Sequence, residues 1–398
     1  MNTGPGISRT PLPKGFTASG INCGVRKYRP DLGVIISDRE AVAAGVFTLN
    51  ECKAAPVLYS RALLPSQHIR AIITNSGQAN AATGEAGRET NWKMALSVAR
   101  WVGCLPHQVL TASTGVIGHP LTIDKIADAM PSLVERATDS AESFALAILT
   151  TDLVPKTVST TVQLSQGAVC ITGICKGSGM IHPNMGTMLG YLLTDAKISP
   201  DFAQKLLTQA TDLSFNMISV DGDSSTNDTV FLLANGASEV YVETAEDIKI
   251  FSQAMIQVAQ VLAQSIARDG EGATKLLEVQ LKGVPEKEMA TRAARGITVS
   301  PLIKSAVHGE DPNWGRILAR LGAERVPAEC LDKMSLDIQG TRVFDEGHPV
   351  PFDRMAVHHL LKKDKVVIEV DLRSGEHSAT AWGCDLSKKY VEINTEYS

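Results

Sequence analysis

The sequence predicts an α/β protein, and three observations predict it. Apolar strand-like runs feed into glycine- and asparagine-rich turns, helices with apolar stripes follow those turns, and the composition is that of a compact globular chain. Of 398 residues, 44% are hydrophobic and 20% charged, with 32 glycines and 18 prolines.

In order, "VIISD" and "AGVFTL" read as early strands, and "IRAIITNSGQANAATGEAG" as a buried strand breaking into a loop. "TNWKMALSVARWV" predicts a helix with Trp92, Leu96, Ala99 and Val102 on one face. "HQVLTASTGVIGHPLT" repeats the pattern: a strand, a small-residue turn at Thr114 and Gly115, then a helix near Thr122 carrying Ile123, Ile126 and Met130. "TVSTTVQL" and "AVCITGICKGS" form a hairpin through Ser165, Gln166 and Gly167. Ser199 caps a helix with Pro200 in its first turn and an apolar stripe at Phe202, Leu206, Leu213 and Met217. "TAED" at Thr244 is a capping-box pattern opening a helix through Ile248, Phe251, Met255, Val258, Leu262 and Ile266. Between those helices, "SVDGDSSTNDTVFLLANG" is a polar loop running into a strand. Strands and helices alternate to the end, and no repeat or low-complexity linker is present, so a domain boundary is expected near the middle.

Charge and composition exclude several classes. The chain carries 38 basic and 43 acidic residues, a net of −5, with no basic block beyond short pieces such as "LKKDK", which argues against a nucleic-acid partner. No run approaches the ~18 uninterrupted apolar residues of a membrane span. The opening "MNTGPGISRTPLPKGF" lacks the apolar core of a secretory signal, so a cytoplasmic protein is expected. Seven cysteines without a C-x-x-C pair fit buried free thiols better than disulfides or zinc.

Common motifs fail on inspection. Asp221, Asp223 and Ser225 alternate like calcium ligands, but Thr226 and Leu232 occupy the places of the required glycine and glutamate. "CKGSGM" resembles a phosphate loop without its residue order, and no G-x-S-x-G elbow occurs. His182, His308, His358 and His359 have no triad partners evident in the sequence.

"GMIHPNMGTML" is different. It places two glycines and a proline before Thr187 and a following strand. A threonine becomes a nucleophile when its own α-amine is free to act as base, and Thr187 acquires one only if the preceding peptide is cut. Small residues permit the bent geometry that attack on the Gly186 carbonyl requires. Taken alone, the stretch reads as a flexible turn into a strand in preference to a cleavage site.

With "CKGSGMIHPNMGTMLGYLLTDA" in view, the chain resembles the ornithine acetyltransferase family, the bifunctional glutamate N-acetyltransferases of arginine biosynthesis. "ITNSGQANAATG", "TASTGVIG", "TTDLVPK", "VDGDSSTNDT", "ARDGEGATK", "SPLIKSAVHGEDPNWGRI" and "YVEINTEY" are similar to family motifs in family order. The resemblance implies layered sheets flanked by helices, a fold like that of N-terminal-nucleophile enzymes. It implies self-cleavage between Gly186 and Thr187, giving an α-chain (residues 1–186) and a β-chain (residues 187–398) that stay associated, two of each.

Thr187 then takes acetyl from N-acetylornithine and passes it to glutamate, with no metal or organic cofactor; acetyl-CoA is a further candidate donor. By the same resemblance Thr114 and Gly115 form the oxyanion hole. Thr150, Thr151, Lys176, Thr187, Glu271, Asn394 and Ser398 contact substrate, with Asn227 and Asp228 as weaker candidates. A cation at Lys176 suits a carboxylate substrate, and a carboxylate at Glu271 suits an ammonium. The chain departs from the family at Gly186, where alanine is usual, at Ala82, where cysteine is frequent, and at Ser398, where a threonine ends many members one residue further on. The alternative reading is an amidohydrolase or aminopeptidase using the same threonine with water as acceptor. A further alternative is an unprocessed, non-enzymatic binding protein.

Overall fold

The computed structural model describes residues 9–182 and 188–395; Gly186, Thr187 and Ser398 lie outside the described residues. Two compact units are present: Met1–Gly177, Thr187–Asp212 and Ser225–Leu262 in the first, and Ser178–Gly186, Leu213–Ser224 and Ala263–Ser398 in the second. The chain passes between the units repeatedly rather than at a single boundary.

Numbered along the chain, the first unit contains β1 (Phe16–Ile21), β2 (Leu32–Phe47), α1 (Ala55–Leu63), β3 (Ser66–Gln78), α2 (Gly84–Val102), β4 (Val109–Val116), α3 (Ile123–Glu135), α4 (Glu142–Ala147), β5 (Lys156–Leu164), β6 (Gly167–Lys176), β7 (Leu189–Thr194) and α5 (Pro200–Asp212). After β8 (Ile218–Ser219), which belongs to the second unit, β9 (Thr229–Ala234) and the first part of α6 (Ala245–Arg268) complete it. Its mixed sheet runs β4-β3-β2-β9-β7-β6-β5, with β1 also paired to β2. The two early strands read from the sequence are one strand, β2, whose register slips against β3 between Ile36 and Ala41; beyond the slip its Val42–Phe47 end pairs with β9.

Side chains alternate across the sheet, so both faces are buried. Ile35 and Ile72 join Phe144, Tyr191 and Phe231 in one apolar layer, while their neighbours Val34 and Ile73 pack with Met94, Val98, Ile126 and Met130 of α2 and α3 in another. The buried Tyr191 hydroxyl is satisfied by Thr74 Oγ1 at 2.7 Å.

The helices depart from expectation in detail. On α2 the inward face is Asn91, Met94, Ala95, Val98 and Ala99, with Trp92 exposed. The short side chains of Ala95, Val98 and Ala99 let the helix lie close to the sheet, which the Trp92 indole would prevent. Ser199 Oγ accepts from Phe202 N as a cap should, but α5 ends at Asp212 and Leu213 is exposed. At Thr244 only half the capping box forms: Thr244 Oγ1 accepts from Asp247 N, while the Asp247 carboxylate accepts from Ser165 N (2.8 Å) and from its hydroxyl in the β5–β6 turn. By length and hydropathy α6 could cross a membrane. Its apolar residues Phe251, Met255, Val258 and Leu262 are instead core.

The second unit contains β8, β10 (Leu276–Val284), α7 (Lys287–Val299), α8 (Pro301–His308), α9 (Trp314–Ala323), α10 (Ala328–Leu331), β11 (Ser335–Ile338), β12 (Thr341–Asp345), β13 (His348–Pro349), α11 (Arg354–Leu360), β14 (Lys365–Asp371), β15 (His377–Cys384) and α12 (Lys388–Thr395). Its mixed sheet runs β13-β12-β11-β14-β10-β15-β8, and α7, which packs on β10 and β15, buries a mostly small apolar face of Ala290, Ala293 and Ala294 together with the larger Ile297. Each unit is thus a mixed sheet flanked by helices. All seven cysteines are free thiols, and Cys52 is exposed, not buried.

Candidate active site

In the first unit, Thr114 and Gly115 sit at the end of β4, paired in parallel with Ser76 and Gly77 of β3. Gly115 has φ +131°, and a Cβ there would lie 2.3 Å from the Gly77 carbonyl carbon, so only glycine fits. The neighbouring Ser113 donates to Asn75 Oδ1 at 2.6 Å. Asn227 Nδ2 donates to Ser113 O (2.9 Å) and Ala79 O (2.6 Å), and its Oδ1 accepts from Thr226 Oγ1 (2.6 Å). Asn227 therefore braces the strand ends and has its amide occupied by the protein itself.

Lys176 is the last residue of β6 and is buried. Its ammonium donates to Thr150 Oγ1 at 2.8 Å and approaches Thr114 Oγ1 at 3.5 Å and Asp152 Oδ2 at 3.7 Å. With Thr114 accepting from the lysine, its own hydroxyl proton is left to donate, as an oxyanion hole requires. Thr150, rather than the half-buried Thr151, makes the lysine contact. Its loop is held from two sides: Arg26 Nη1 donates to Leu149 O at 2.6 Å, and Thr150 N donates to Asp152 Oδ2 at 3.1 Å.

Asp152 is the organising group that the sequence reading missed. Its buried carboxylate pairs with Lys156 Nζ at 2.8 Å and accepts from Gly177 N at 2.7 Å. Burial alone would raise its pKa; the charges of Lys176 and Lys156 and the Gly177 N–H outweigh that and hold it well below the usual carboxylate range. An acid four residues before a lysine in "TTDLVPK" was the available signal. Asp228 is fully buried; its Oδ1 accepts from Met188 N at 2.9 Å, and its Oδ2 has no hydrogen-bond partner among the described residues.

In the second unit, Glu271 and Asn394 come together from distant parts of the chain, Asn394 Nδ2 donating to Glu271 Oε2 at 2.8 Å. The turn before β10 packs tightly on α12: a Cβ at Gly272 (φ +70°) would lie 2.5 Å from Tyr390 N. A Cβ at Gly179 would lie 2.3 Å from the Glu271 carboxyl carbon, so this glycine makes room for the carboxylate. Burial, followed by the charges of Asp221 and Glu271, pushes the Tyr390 phenol up to about 12. Of the histidines set aside above, His308 Nδ1 is bonded to Asp385 at 2.7 Å and His358 Nδ1 to Glu310 O at 2.8 Å. No group of metal-ligand residues is found among the described residues.

A buried lysine beside a strand-end hydroxyl and a forced glycine, all in the first unit, suits chemistry on small charged molecules, and the class is that of α/β enzymes. The ArgJ family model matches residues 17–398, and the chain belongs to that family. The arginine biosynthesis bifunctional protein ArgJ of Oceanobacillus iheyensis is 45% identical over 388 residues, 97% of this chain and 95% of its own length. That of Thermotoga neapolitana is 43% identical over 395 residues, 97% of this chain and 99% of its own. Among solved structures, an ArgJ chain from Bacillus halodurans is 38% identical with a TM-score of 0.51, covering 53% of this chain and all of its own length.

Proposed function

We propose that the chain transfers an acetyl group from N-acetylornithine to glutamate in arginine biosynthesis, through an ester on Thr187. Self-cleavage after Gly186 frees the Thr187 α-amine, which takes the hydroxyl proton as Oγ attacks the acetyl carbonyl. The amide C–N bond breaks, ornithine leaves with that proton, and the glutamate amine then attacks the ester to give N-acetylglutamate. The oxyanion of each tetrahedral intermediate is met by Thr114 and Gly115. Lys176 and Thr150 take the substrate carboxylate, and Glu271 with Asn394 the ammonium. Thr151 and Ser398 are secondary contacts in the same scheme.

The observation that carries this reading is the buried Lys176 ammonium, 2.8 Å from Thr150 and 3.5 Å from Thr114, which joins a substrate-binding group to a transition-state donor. Family membership supports the chemistry, and the relatives' names place it in arginine biosynthesis. In the proposed assembly two α-chains and two β-chains associate in the cytoplasm, acting on small molecules without a resident cofactor.

The test is incubation with N-acetylornithine, with and without glutamate, alongside intact mass under denaturing conditions. Two fragments and ornithine release that depends on glutamate are expected. Release that ignores glutamate means hydrolysis, and a single species of about 42.5 kDa means no processing. Replacing N-acetylornithine by acetyl-CoA in the same assay reads the second donor.

A further inference from the structure

We propose that Asp228 is a positioning residue for Thr187, holding through Met188 the backbone from which the nucleophile projects. This rests on the reading of Thr187 as nucleophile given above.

The strand ends converge on this point. Lys176 at the end of β6 pairs with Leu189 at the start of β7, and Leu189 pairs with Thr229 at the start of β9. Met188 and Asp228 are thus the residues just before two adjacent parallel strands. Met188 N donates to Asp228 Oδ1 at 2.9 Å, and Met188 O accepts from Thr229 N at 3.2 Å. Both polar backbone groups of Met188 are fixed from β9. The Met188 N–H belongs to the peptide bond that follows Thr187, so Asp228 acts on the group next in the chain to the proposed nucleophile.

Burying an acid completely needs compensation. Here it comes first from the Met188 N–H on Oδ1, with the hydroxyls of Thr48 and Ser225 adding weaker hydrogen-bond support. The ionisable group facing it is Lys176, with the hydroxyls of Thr48 and Ser225 alongside. Burial dominates: it raises the Asp228 pKa well above its ordinary value, against the lowering effects of Met188 N–H and Lys176. In either protonation state the Asp228 carboxyl keeps an acceptor for Met188 N–H. Asparagine reproduces that acceptor; serine is too short to reach Met188 N–H.

The experiment compares Asp228→Ala, Asp228→Ser and Asp228→Asn in the full-length chain, following fragment appearance by intact mass and glutamate-dependent ornithine release, with thermal unfolding as a fold check. Alanine and serine are expected to slow cleavage and kcat by about a hundredfold while KM stays within about twofold, the signature of a misplaced reacting group. Asparagine is expected to recover most of that rate. Wild-type rates in the serine variant overturn the proposal, as does an asparagine variant as slow as serine. If alanine unfolds, serine and asparagine decide. Thr187→Ala runs in parallel: a cut, active Thr187→Ala protein defeats the nucleophile reading whatever the Asp228 variants do.

Discussion

Lys176 Nζ lies 3.5 Å from Thr114 Oγ1, so a cation proposed to hold substrate touches the hydroxyl proposed to stabilise its transition state. Replacing the ammonium by an apolar end of similar length isolates its charge. Lys176→Met is expected to lower kcat/KM for N-acetylornithine by about 10- to 100-fold, the loss of one or two charged hydrogen bonds. Steady-state kinetics with N-acetylornithine as the varied substrate provide the check.

Thr114→Val keeps the shape of the strand end and removes the donor. A fall in kcat of about 10²- to 10³-fold with intact folding is expected for the loss of one oxyanion donor. Gly115→Ala is expected to be worse, because its methyl would lie 2.3 Å from the Gly77 carbonyl carbon at a φ of +131°. Circular dichroism separates that structural cost from the catalytic one.

Gly179→Ala tests the seat of Glu271. The added methyl meets the carboxylate at 2.3 Å, and the flexible Glu271 side chain, not the backbone, gives way. KM for N-acetylornithine is expected to rise by about tenfold, since a displaced charged partner costs ~1.5 kcal/mol, with thermal stability little changed.

Asp152→Asn tests the buried ion pairs. Leaving Lys176 and Lys156 without their carboxylate is expected to cost about 3–5 kcal/mol at neutral pH. Because the folded pKa of Asp152 is lowered, its contribution is complete above the unfolded value of about 3.9 and is lost as pH falls below it. The gap in Tm between wild type and Asp152→Asn should therefore narrow on acidification below pH 4. Asp228, shifted the other way, favours the folded state more at low pH, an advantage that fades as pH rises through its raised folded pKa.

Where the sequence was informative, the signal was local. The hairpin at Ser165, the cap at Ser199 and the strand leading to Thr114 depend on neighbours within a few residues, and each formed. The face of α2 was misread because Trp92 dominates a hydrophobic count, whereas close packing on a sheet selects Ala95 and Val98. For Asp152 only the pair with Lys156 was legible; its pairing with Lys176 was not, because β6 brings that lysine to it from 24 residues away. Glu271 and Asn394 are 123 residues apart, and only the family resemblance singled them out. The demand for glycine at Gly179 is set by a carboxylate that no periodicity reveals.

The order of the first sheet has one more consequence. β7 and β9 lie side by side with β2 on one flank and β6 on the other. The proposed break after Gly186 would then be a nick in a finished wall, with the later fragment supplying the keystone strands and the earlier fragment the masonry on both sides. Pulling them apart would bare raw strand edges on both fragments, β2 and β6 on the earlier and β9 and β7 on the later, of the kind that recruit other chains. Fragment 1–186 made without its partner should precipitate, and the nicked protein should part only when the sheet itself unfolds.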